Sequence, residues 1–220
     1  MQYIHCRSVY YLLLKHTAMN NLRIISVSLI LTILLSACVP SLHPIYTDKD
    51  LVFDKELVGT WVSDGETWVF KSIDDKYYEL IYSDTNKKSS KENDGIGKIL
   101  PNSAGTSAKF DAHLVKLGEE IYLDLFPDNS QFEQNTLLLL HIFPCHTFMK
   151  VRIENDKFSY QMFSGDWFKK SIEKNPEILS HEKVDDSYLI TASTSELQEF
   201  ILKYTDSEKM FEQNEILNRK

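Results

Sequence analysis

The chain has 220 residues, with 32 Asp and Glu against 24 Lys and Arg, and a net charge of −8. That balance argues against nucleic acid as a partner, because neutralising phosphates with Lys and Arg supplies most of such affinity. It also sets charge against any attraction to anionic lipid.

The first patterned element is an apolar run, Ile24 to Leu34, preceded by Arg23 and closed by Leu35-Ser36-Ala37-Cys38. With its serines and threonine discounted, the run is about half the ~20 residues needed to cross a hydrocarbon core. It has the length of the apolar region of a secretion signal. Met19 to Arg23 supplies the basic start. Residues 19–37 therefore read as a signal peptide and residues 1–18 as an extension upstream of the true start. The Leu-Ser-Ala-Cys box resembles that of bacterial lipoproteins. The resemblance implies cleavage before Cys38, diacylglycerol on its sulfur, and a membrane partner reached through that lipid. Val39 follows the cysteine; in Gram-negative lipoproteins an aspartate there favours inner-membrane retention. The implied location is the cell envelope, on the outer membrane facing the periplasm.

Residues 1–37 contain Arg7, Lys15 and Arg23 and no acid, so cleavage takes the net charge from −8 to −11. What remains is one domain by length. With Cys38 consumed by lipid, Cys145 is the one thiol left, and no internal disulfide is expected.

Residues 38–56 read as a lipidated tether with no packed element before Leu57. The domain proper is expected over 57–206. Val58 to Ser63 and Glu66 to Lys71 flank Asp64-Gly65, a strong hairpin signal. Tyr77 to Tyr82 is a third strand. Residues 83–106 are polar and read as a long loop, with one short strand at 97–100. Phe110, Ala112 and Leu114 alternate with polar neighbours, the mark of a strand with one buried face. Ile121 to Leu125 alternates likewise. Leu137 to Phe143 is a continuous apolar run stopped by Pro144, which fits a strand buried on both faces. Thr147 to Ile153 and Lys157 to Phe163 form a hairpin around Asn155-Asp156.

The period then changes. Ser164-Gly165-Asp166 offers N-caps for a helix near 166–175. Ser187 to Thr191 reads as the last strand. Ser193 to Glu196 has capping-box spacing and opens a helix near 194–205. Leu197, Phe200, Ile201 and Tyr204 stripe one face of that helix. A stripe of that kind is expected to pack on the outside of a barrel. Residues 207–220 read as a charged, frayed tail.

The expected fold is mainly β: an antiparallel barrel of roughly eight strands with two C-terminal helices. Gly59-Thr60-Trp61 on the first barrel strand resembles the Gly-x-Trp signature of lipocalins, whose tryptophan plugs one barrel end. Ser41-Leu42-His43-Pro44-Ile45-Tyr46, Leu57 to Trp61, Ala112-His113-Leu114-Val115, His146-Thr147-Phe148 and Asp166-Trp167 are similar to a group of uncharacterised bacterial lipoproteins. That second resemblance supplies no catalytic residue.

No Gly-x-Ser-x-Gly elbow and no Gly-rich phosphate loop occurs. Ser164 reads as a helix cap. Cys145 and His146 are neighbours on extended chain and point to opposite faces. His113, His141, Cys145 and His146 match no compact metal motif. The sequence therefore points to no catalytic residue, no metal site and no cofactor, and the chain reads as a non-enzymatic protein. Trp61, Trp68, Phe70, Tyr78, Phe110, Phe148 and Tyr160 are the candidate lining of a barrel interior, which at about eight strands either fills or holds one small ligand. The expected partners are an apolar small ligand or an envelope protein. If the barrel is filled, a structural or assembly role with an outer docking face takes precedence.

Overall fold

The computed structural model describes residues 39–84, 107–128, 141, 143–185 and 187–220. The signal peptide, Cys38, residues 97–100 and residues 137–140 lie outside the described residues.

Alternation of apolar and polar side chains builds consecutive antiparallel strands: β1 (Leu51–Val52), β2 (Gly59–Ser63), β3 (Glu66–Ser72), β4 (Tyr78–Asp84), β5 (Ser107–Leu117), β6 (Glu120–Pro127), β7 (Thr147–Glu154) and β8 (Lys157–Met162). Two helices follow, α1 (Gly165–Lys174) and α2 (Thr194–Tyr204). Between them lie β9 (His181–Val184) and β10 (Ser187–Ile190), and the chain finishes on β11 (Glu215–Arg219). The sheet order is β1-β5-β4-β3-β2-β11-β8-β7-β6, and β6 pairs back onto β5. The ring is thus a closed eight-stranded antiparallel barrel. β1 extends it where β5 outruns β4, with Leu51 opposite Val115.

The tail is not frayed. β11 closes the barrel, pairing Leu217 with Phe158 on one side and Arg219 with Trp61 on the other. It buries a single residue, Leu217, beside the exposed Ile216, too little to register as an alternating pattern among polar neighbours. Ser187 to Ile190 is correspondingly not the last strand. It pairs with β9 in a separate two-stranded sheet, and its last residue bridges to Ser41. His141, expected at the end of a buried strand, lies exposed in a turn.

Residues 39–56 are not a free tether either. Val39 and Ile45 are buried, and Ser41 bridges to both His146 and Ile190. Isolated apolar residues among prolines carry no period. What packs them is tertiary: α2 grips this segment through Thr194 Oγ1 on the Pro44 carbonyl and Gln198 Nε2 on the Ile45 carbonyl.

The two helices begin as expected. Ser164 Oγ accepts the Trp167 N–H, and Ser193 with Glu196 forms a reciprocal capping box. The hydrogen bonds from the Ser193 backbone and hydroxyl hold the Glu196 carboxyl below its ordinary value. Leu197, Phe200 and Ile201 are buried against Val115, Leu117, Tyr122 and Phe148 on the outer wall. The domain thus has two cores divided by one sheet. Trp61, Trp68, Phe70, Tyr78 and Phe158 fill the interior. A second core lies outside, between the wall and the helices.

Candidate functional site

The Gly-x-Trp residues sit where the barrel is sealed. Trp61 is fully buried and its Nε1–H donates to the Leu57 carbonyl at 2.8 Å. This fastens the 3-10 turn Lys55–Leu57 across the barrel end. The Arg219 guanidinium lies 4.2 Å from the centre of the Trp61 ring. It also donates to the Val58 carbonyl at 3.1 Å. Gly59 has φ +141°, and a Cβ there would come within 2.8 Å of the Arg219 guanidinium. The glycine of the motif is what lets the arginine cover the tryptophan.

The residues that sequence reading set out as an interior lining form packed core. Trp68 has ring centroids 5.9 Å from Phe158 and 5.1 Å from Tyr160, and Phe70 is 5.7 Å from Phe158. Tyr78 is fully buried and its hydroxyl donates to the Asp54 carbonyl. Phe110 and Tyr160 are half-buried against the same cluster. Phe148 is not interior. It pairs with the outward Asp124 and stacks on Phe163, 5.0 Å between centroids, in the outer core. The alternation of β7 fixes this: Met149 and Val151 point in, so Phe148 points out.

Space lies instead beside the sealed end. A cleft of about 380 Å³ opens there between the Val52-Phe53-Asp54 strap and the ends of β5, β6 and β7. Leu114, Ile121, Val151 and Ile153 line it, with Glu119 and Arg152 also at its wall. Phe53 remains 42% exposed and stacks on Tyr78 at 5.2 Å. A second cleft, about 360 Å³, is polar: Lys150, Arg152, Lys157, Ser159 and Gln161 line it on the outer wall.

A third constellation was invisible to spacing. Asp124 is fully buried on the outer face of β6. Its Oδ1 accepts from His146 Nδ1 at 2.7 Å and its Oδ2 from the Ile45 N–H at 3.0 Å. His113 neighbours Asp124 across the β5–β6 pair. The His113 ring lies between Tyr46, at 4.5 Å, and Tyr77, at 5.4 Å. Burial holds the His113 pKa below its ordinary value, against the opposing pull of Asp124 and Asp111. Burial, reinforced by Asp124, Asp111 and Asp48, pushes Tyr46 up to about 12. The carboxylate's bonds go to holding three chain segments together: the N-terminal strap, β6 and the approach to β7. One signal for it was present. Asp124 shares a strand face with Tyr122 and Phe126, so an acid stands between aromatics on a face the alternation had marked as wet.

Ser164 is a helix cap, as expected. Cys145 and His146 diverge: the thiol approaches the Phe143 carbonyl at 3.6 Å while His146 turns to Asp124, and burial raises the thiol pKa. Among the described residues no three His, Cys, Asp or Glu side chains are grouped so as to hold a metal ion. Comparison with protein-family models, with curated proteins and with solved structures finds no match for this chain.

Proposed function

We propose that this chain is a lipid-anchored lipoprotein of the bacterial cell envelope, acylated on Cys38 and facing the periplasm from the outer membrane. In this reading it is non-enzymatic, and its barrel carries an apolar small ligand. The observation that carries the ligand half is the cleft beside the sealed barrel end. Its volume, about 380 Å³, falls within the ~300–1,000 Å³ of small-molecule sites. Its floor is the aliphatic set Leu114, Ile121, Val151 and Ile153, bordered by the charged Asp54, Glu119, Glu120 and Arg152. The Leu-Ser-Ala-Cys box and the apolar run before it support the anchor half.

Two measurements test these halves separately. Radiolabelled palmitate should enter the wild-type protein and not Cys38→Ser; label in the variant overturns the anchor. A domain lacking residues 1–38 should take up one equivalent of a solvatochromic apolar dye. Ile153→Trp, which narrows the cleft, should abolish uptake while leaving the thermal midpoint near wild type. Unchanged uptake would move the site elsewhere.

A second reading has its own observation. The barrel interior is filled with aromatic rings, which favours an assembly role in which an envelope protein docks on the outside. Native mass spectrometry separates the two. A copurified small molecule supports the first reading, and a stoichiometric protein partner supports the second.

A further inference from the structure

The apolar cleft has an acidic rim. Asp54, Glu119 and Glu120 border its aliphatic floor against one cation, Arg152. Two of these four charges are matched from outside the cleft. Glu120 Oε1 lies 2.7 Å from Lys150 Nζ, and Arg152 Nη1 lies 3.7 Å from Glu154 Oε1. Asp54 and Glu119 remain. Asp54 Oδ1 accepts the Glu56 N–H at 2.8 Å, a neutral donor. Among the described residues neither carboxylate forms an ion pair. Asp54, half-buried, belongs to the strap on one bank. Glu119, exposed, belongs to the turn between β5 and β6 on the other.

An apolar body seated on Leu114, Ile121, Val151 and Ile153 takes solvent away from both carboxylates. A carboxylate dried without a partner is costly. A neutral ligand therefore loses on the rim some of what it gains on the floor. An anionic ligand loses more, by repulsion. A positive group at the mouth supplies the missing counter-charge, and opposite charges attract more strongly as water leaves. Phe53 adds to this. Its ring stacks on Tyr78 at 5.2 Å and remains 42% exposed at the cleft. An open aromatic face attracts a nearby cation through the ring quadrupole. The net charge of −8 over the whole chain draws cations in from a distance.

We infer that, given the reading of this cleft as the ligand site, it selects an apolar cation. The ligand has an aliphatic or aromatic body for the floor and one ammonium group for Asp54 and Glu119. That narrows the occupant from any apolar molecule to hydrophobic amines and quaternary ammonium compounds.

The closed ring and both cores lie within residues 39–220, so that segment serves for the test. Three probes share one chain and differ in head group: octylammonium, 1-octanol and octanoate, titrated by calorimetry at neutral pH. Octylammonium should bind about tenfold more tightly than octanol, the scale of two partly exposed ion pairs. Octanoate should bind more weakly than either. Raising NaCl from about 20 mM to about 0.5 M should narrow the gap, because the rim charges are screened. Asp54→Asn with Glu119→Gln should bring octylammonium to the level of octanol and leave octanol no weaker; asparagine still caps the turn that Asp54 opens. Ile153→Trp should exclude octylammonium and octanol alike. Equal affinity for octylammonium and octanol overturns the charge preference and leaves the apolar site standing. Tightest binding of octanoate assigns the head group to Arg152 and overturns it too. A preference that survives the double variant, or octylammonium binding that survives Ile153→Trp, puts the cation elsewhere and overturns it as well. Binding of none of the three overturns the cation preference together with the apolar-ligand reading.

Discussion

The two cores on either side of the barrel wall are built by opposite means. The interior core comes from neighbouring strands, each contributing every second residue: Trp68 and Phe70 from β3, Tyr78 and Leu80 from β4, Ala112 and Leu114 from β5. The outer core is gathered from segments far apart in sequence. Val39 and Ile45 come from the strap, Val115 and Tyr122 from the wall, Phe168 from α1, Ile201 from α2, and Met210 and Phe211 from the loop before β11. The first is held by a ring of hydrogen-bonded strands. The second depends on helix faces and on a buried carboxylate that ties its pieces to the wall. Stability of one need not imply integrity of the other.

The most severe way to break the interior is to remove β11. A chain ending at Gln213 leaves β2 and β8 without their shared neighbour and uncovers Trp61. It should lose its cooperative thermal transition altogether, forfeiting the ~5–15 kcal/mol of an ordinary domain. Trp61→Ala should cost about 3–5 kcal/mol by chemical denaturation, the usual penalty for truncating a large aromatic in a packed core. An unchanged midpoint would show that the plug carries no weight.

Asp124→Ala addresses the outer core. It strands the Ile45 N–H and the His146 imidazole, at a cost of about 1–3 kcal/mol. Amide exchange should quicken over residues 39–46 while the interior strands stay protected. Exchange rising equally in both regions would show that the two cores are one cooperative unit.

Alkali should touch both sides. Tyr46 on the outside and Tyr78 and Tyr82 on the inside are each raised to about 12, chiefly by burial. The folded state then keeps protons that the unfolded state loses. Their contribution is full below pH 10 and is lost as pH climbs toward 12. Comparing Tyr46→Phe with Tyr78→Phe in alkaline melts identifies which core yields first. The smallest effect belongs to His113. Its folded pKa is depressed, so its contribution is full above the ordinary value of about 6.5 and is lost as pH falls below it. His113→Phe should flatten the stability profile between pH 6.5 and 5; an unchanged slope would assign that loss to other groups.

The same contrast explains what the sequence disclosed. Strands β2 to β8 were legible because period-2 alternation and turn residues such as Asp64-Gly65 are local. Both helices were legible through their caps and, for α2, its apolar stripe. The strap and β11 were not, because Val39, Ile45 and Leu217 gain meaning only from partners far along the chain, such as Asp124 for Ile45 and Phe158 for Leu217. Phe148 was placed on the wrong side because an aromatic residue on a strand says nothing about its parity until a neighbour's direction is known. A clue to the outer core was present nonetheless: Leu114-Val115-Lys116-Leu117 breaks the alternation of β5, and a wall that turns apolar on its outward face needs a cover. The cleft was hidden because it lies between a strap and strand ends, where periodicity has already stopped.

The pairing of β11 with β2 also sets a clock. The first strand of the barrel is bonded to the last, so the ring stays open until β11 has been made. Until then the growing chain is a curled sheet with two bare edges, each able to recruit a strand from another molecule. Joining the extremes of a domain is the slowest kind of contact to form. A fragment that stops before Glu215 keeps both edges bare and is adhesive rather than a smaller barrel.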